Sequence, residues 1–156
     1  MYDLFETNKE KEVKGVWIKK GVNPDGTIPE FLVATKYKTN KAYTKEVEQI
    51  SIKFGDRIRS KRLSEEEAQE LYLKAFCKAC LLDWKNVPDK EDLKAYKAEK
   101  ETNPKLDREI KKLPFNFENA VNLFMNDLPR LYDSIDFDAA AISTFQDEAR
   151  EENAKN

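Results

Sequence analysis

Cys77 and Cys80 are the two cysteines of the chain and form an isolated Cys-x-x-Cys pair. Such a pair could exchange disulfides at a helix N-terminus, where the thiol pKa falls. It could also hold zinc if a second pair or histidines completed a tetrahedral site. The chain has no histidine, so His-containing zinc sites, Ser-His-Asp and Cys-His nucleophiles and histidine bases are all excluded. The pair also falls well inside a helix that opens at Ser64, which reads as buried thiols filling small gaps.

Three further groupings could carry chemistry. Asp133, Asp136 and Asp138 have a metal-loop spacing only in part, since no glycine or closing Glu follows at calcium-loop offsets. They read as the solvent side of the last helix. Lys53, Arg57, Arg59, Lys61 and Arg62 form a basic cluster, but Glu65-Glu-Glu67 follows at once. That pattern is a solvated, locally paired connector rather than a nucleic-acid surface. The four glycines are scattered and build no phosphate loop. The expectation is a protein that is not an enzyme, with no metal and no cofactor.

The elements that would position these residues sit in a chain of 156 residues, 40% apolar and 37% charged, with 28 basic and 30 acidic side chains. The length suits one domain spanning 1–156 with its own core. A formal charge of −2 gives no general reason to bind nucleic acid or anionic lipid. The opening Met1-Tyr-Asp-Leu-Phe-Glu6 lacks the pattern of a secretory leader, and no apolar run approaches the roughly 20 residues that span a bilayer.

The spacing predicts an α+β, predominantly helical fold: an N-terminal β-hairpin packed on a bundle of about four helices. The hairpin covers 11–37, with strands at 12–19 and 28–37 around Gly21-Val-Asn-Pro-Asp-Gly26. Pro29 suggests an edge strand, and the hairpin must lie on helices or pair with another copy. Asn40 caps a helix over about 41–54 that Gly55 ends. Ser64-Glu-Glu-Glu67 is a capping box opening a helix that runs to about Trp84. Residues 88–112 read as a charged surface excursion, helical at 91–101, that contributes little to the core. Asn116 caps a helix over 117–127, and Pro129 opens the last helix. The tail from about 150 lacks a large apolar anchor and should fray. Phe115, Phe117, Phe124, Phe137 and Phe145 crowd the C-terminal third, either as core or as a groove for a partner's amphipathic helix. In that second reading the partner-binding stripe is Leu128, Leu131, Ile135, Ile142 and Phe145.

The order of motifs carries a resemblance. Met1-Tyr-Asp-Leu-Phe-Glu6, the hairpin, Leu82-Asp-Trp84-Lys-Asn-Val87, Phe115-Asn-Phe-Glu-Asn-Ala120, Leu128-Pro-Arg-Leu-Tyr-Asp133 and the terminal Ala154-Lys-Asn156 together resemble the tail assembly chaperones of long-tailed bacteriophages. The similarity covers nearly the whole chain except 88–112, where that family has a shorter connection. It implies a non-catalytic protein of the host cell cytoplasm, absent from the mature virion. Such a protein coats the helical tape measure protein and recruits tail-tube subunits. In that family ribosomes often slip near the end of the gene, and the A-rich Lys155 and Asn156 codons are compatible with such a site or with the adenines any Lys-Asn end brings by chance. The rival readings are a structural tail or head-completion component retained in the virion, and a redox or nucleic-acid module using the cysteines or the basic connector.

Overall fold

The structure, a computed structural model, describes residues 1–147. Its centre is a three-stranded antiparallel sheet of β1 (Val16–Lys19), β2 (Glu30–Val33) and β3 (Leu81–Lys85), in that spatial order. The helices are α1 (Tyr2–Phe5), α2 (Lys9–Lys14), α3 (Lys41–Arg59), α4 (Glu65–Ala79), α5 (Lys90–Thr102), α6 (Phe117–Asn122) and α7 (Pro129–Ala140). The fold is α+β and mainly helical, as the residue pattern predicts.

The hairpin is present but shorter than its predicted strands. Residues 9–14 fold as α2 because the Asn8 side chain accepts the Glu10 and Lys11 amides at 3.0 and 3.2 Å, a side-chain cap that nucleates the turn. Pro29 does not mark an edge. It stands just ahead of β2, whose two flanks are taken by β1 and β3.

The central helix does not reach Trp84. It stops at Ala79, and the residues beyond it become a third strand that local patterning did not reveal. Two contacts explain the stop. Asn40 donates from Nδ2 to the Ala79 carbonyl at 2.9 Å, and the Ala34 amide donates to the Cys80 carbonyl at 2.8 Å. With those helix-end acceptors satisfied, the chain turns along the open side of β2, pairing Phe31 with Trp84 across a bulge at Leu32/Val33. Leu81 and Trp84 point into the core.

The helix α3 starts as expected, with Asn40 accepting the Tyr43 amide at 3.2 Å, but Gly55 does not end it. Gly55 is helical, and a Cβ there would approach Arg59 Nη1 at 3.2 Å, the mobile end of a long side chain.

The predicted helix at 91–101 is α5, capped by Asp89. The expectation that 88–112 adds little to the core needs correction. The excursion does not join the main cluster, yet it carries two buried anchors of its own, Tyr96 at 2% and Ile110 at 1% exposure. The ends are tied together, Asp89 N to the Lys111 carbonyl at 2.8 Å and Leu113 N to the Val87 carbonyl at 2.7 Å. Apolar anchors spaced this far apart form no helical row in the sequence, so they escape notice there.

The segment expected as one helix over 117–127 is α6 followed by a π-helical turn, Leu123–Asp127, closed by Leu128 N on the Leu123 carbonyl at 2.7 Å. The last helix also divides. Lys36 N donates to the Ala139 carbonyl at 3.0 Å, Ala141 turns extended, and a 3-10 turn follows at Ile142–Phe145. The predicted fraying tail and Ala154-Lys155-Asn156 lie outside the described residues.

Candidate functional site

A cleft of ≈ 690 Å³ opens between α4, the π-turn and α7. Its position follows from local signals. Ser64 Oγ accepts the Glu67 amide at 3.1 Å, which sets the first turn of α4 and places Glu66, Glu70 and Tyr72 along one wall. Opposite, the π-turn brings Phe124 and Met125 to the floor, and Pro129, suited to a first helical turn, starts the wall formed by Tyr132, Asp133 and Asp136.

The floor is held by aromatic rings in contact. Tyr132 meets Phe76 edge-on at 5.4 Å and Phe124 at 5.4 Å, and Phe124 meets Phe31 at 6.5 Å. From Phe31 the contacts continue to Trp84 at 6.2 Å and on to Phe115 at 5.1 Å. Trp84 is further fixed by its Nε1–H donating to the Leu113 carbonyl at 2.8 Å. A floor built this way is rigid and pre-formed.

Four carboxylates, Glu66, Glu70, Asp133 and Asp136, line the cleft against a single amino group, Lys36. Lys36 pairs with Asp136 at 2.7 Å, and Glu70 pairs with Lys74 of its own helix at 3.1 Å. Glu66 and Asp133 are exposed and have no ion-pair partner among the described residues. Burial, with Asp136 adding to it, pushes the Tyr43 and Tyr132 hydroxyls far above their ordinary range. Both remain protonated at neutral pH. The arrangement can hold an apolar segment carrying positive charge.

The sequence-stated candidates fall in different places. Ile135 and Phe145 are fully buried, while Leu128 and Ile142 are exposed and Leu131 is half-buried. The five do not form one surface, because the break at Ala141 puts Ile142 and Phe145 out of phase with α7. Of the five phenylalanines, Phe124 and Phe145 are core, Phe115 packs against it, and Phe117 and Phe137 are exposed. Asp138 binds Lys20 at 2.6 Å rather than facing solvent alone. The basic residues are exposed, Arg57 lying over Phe54 and Arg59 pairing with Asp56. Cys77 and Cys80 are buried, and burial pushes the Cys77 thiol up to about 12 and Cys80 higher still.

Sequence reading missed the cleft. Glu66 and Glu70 read only as a helix cap and its solvent face, and their approach to Asp133 is a long-range event. It also missed Asp25 and Glu12, two buried carboxylates that each reach one partner far away in the chain, Lys112 and Thr39. Among the described residues no cluster of metal-binding side chains is present, and no helix is long and apolar enough to cross a membrane.

What fold and cleft define is a small, mainly helical α+β domain with an acid-rimmed apolar groove. Residues 38–156 match the model of the YdaY prophage protein family. The chain belongs to that family and is phage-derived. The matched part begins after β2 and includes the whole cleft except Lys36. No curated protein and no solved structure matches the chain.

Proposed function

We propose that this protein is a non-catalytic tail assembly chaperone of a long-tailed phage, which holds the helical tape measure protein and helps recruit tail-tube subunits. The observation that carries the reading is the cleft between α4 and α7. Its aromatic floor suits the apolar face of an amphipathic helix, and its acidic rim suits basic residues flanking that face. Phage descent and the order of motifs from Leu82-Asp-Trp84 to Leu128-Pro-Arg-Leu-Tyr-Asp133 agree with it. In this reading the protein works in the host cytoplasm, uses no cofactor and leaves before the virion is complete.

Co-expression of the full chain with the phage's tape measure protein tests it. The two should co-purify, and the charge reversals Glu66→Lys and Asp133→Lys should weaken the complex far more than they lower thermal stability, Glu66 being a first-turn carboxylate of α4. Retained co-purification in the double variant would remove the cleft from the reading. Finding the protein in purified virions would replace the chaperone with a structural tail or head-completion component.

A further inference from the structure

A second cavity, of ≈ 280 Å³, lies where α2 meets the end of α7 and the 3-10 turn. Glu12 lines it. This side chain belongs to a residue only 4% exposed, and its carboxylate accepts Thr7 Oγ1 at 2.6 Å on one oxygen and Thr39 Oγ1 at 3.1 Å on the other. Each carboxylate oxygen has two lone pairs, so one on each remains for another donor. No cation lies within ion-pair distance of Glu12 among the described residues. A buried carboxylate without a counter-ion is costly, and two hydroxyls offset only part of that cost.

Thr7 and Thr35 also line the cavity, their hydroxyls bonded to Glu12 and the Ala139 carbonyl, and the remainder is mainly apolar and open to solvent at its mouth. Phe5, Tyr37 and Ile142 line it and are exposed at 64%, 58% and 41%, while Phe145 closes the inner wall. An acceptor at the base of an apolar passage selects a ligand with an aliphatic stem and a cationic tip. We infer that this cavity receives the lysine side chain of a partner protein, with Glu12 binding the ammonium and Phe5, Tyr37 and Ile142 enclosing the methylenes. The site is separate from the cleft between α4 and α7, and it stands whether or not that cleft binds a tape measure protein.

The test uses the full chain and two small probes followed by NMR titration. These are Nα-acetyl-lysine methylamide and its uncharged analogue, Nα-acetyl-norleucine methylamide. The lysine probe should bind at least about tenfold more tightly, the worth of a hydrogen bond to a charged group, with shifts at Phe5, Tyr37 and Ile142. Glu12→Gln should abolish that preference. Should Glu12→Gln fail to fold, Tyr37→Ser and Ile142→Ser carry the test, each weakening both probes while the preference for lysine persists. Equal binding of the two probes, or shifts elsewhere, would overturn the inference. So would a tenfold gain in lysine-probe affinity on replacing Arg150 and Lys155 with Gln, since the cavity would then belong to the chain's own end.

Discussion

Lys112 and Asp25, 87 residues apart, form an ion pair in which the Asp25 side chain is only 1% exposed. The same carboxylate accepts the Ile110 amide at 2.8 Å, the Thr27 amide at 3.1 Å and the Thr27 hydroxyl at 2.6 Å. One side chain thus fastens the end of the charged excursion to the β1–β2 turn.

Burial alone would raise the Asp25 carboxyl, but the bonds from Lys112, Thr27 and Ile110 outweigh it and hold the group well below its ordinary value. A folded-state pKa below the unfolded one contributes stability that is complete above the ordinary value of 3.8 and is lost as pH falls beneath it. Asp25→Asn should therefore cost about 1.5–3 kcal/mol at neutral pH and flatten the acid limb of a stability-against-pH curve. Denaturant titrations between neutral pH and pH 3 check this; an unchanged acid limb would count against the linkage.

Phe76 is fully buried and stacks edge-on against Tyr132 beneath the cleft. Phe76→Ala should cost about 3–5 kcal/mol in chemical denaturation. A loss below about 1 kcal/mol would fall outside that range and place Phe76 outside the core.

Gly55 sits in the interior of a 19-residue helix, with the Arg59 guanidinium at 3.2 Å and the Ser51 hydroxyl at 3.7 Å from its missing Cβ. Gly55→Ala should stabilise the protein by about 0.5–1 kcal/mol, because alanine surrenders less backbone freedom. A lowered melting temperature would show that Arg59 cannot move aside.

Native Cys77 and Cys80 should resist thiol reagents. Both are buried, Cys80 is in contact with the Thr35 carbonyl at 3.6 Å, and burial suppresses the thiolate that reacts. Labelling should accelerate sharply across the unfolding transition. Rapid modification in native buffer would contradict the buried placement.

What the sequence made legible was whatever a few neighbouring residues decide. Ser64 with Glu67, Asn40 and Asn116 each cap a helix through bonds spanning three residues, and those starts were readable. Elements that depend on distant partners were not. Leu81–Lys85 is apolar enough for a helix and becomes a strand only because β2 has an open side. Gly55 looks like a stop until the helix continues beneath Arg59. The same division holds for the sites. The acidic rim needs α4 and α7 to converge, and Glu12 needs Thr39, contributed by a segment 27 residues further on. Residue types were visible in each case, but their meeting was a product of the fold.

The π-turn at Leu123–Asp127 has a consequence for lineage. Its bonds skip five residues where an α-helix skips four, so the stretch holds one residue more than a continuous helix would. Removing a single residue there would relax the stretch into an ordinary helical turn and leave Asp133 and Asp136 facing Glu66 and Glu70. A relative one residue shorter in this stretch would keep an unbroken helical turn here and show a partner the same side of its last helix. The π-turn is therefore a buffer, able to absorb one codon gained or lost while the rim keeps its place.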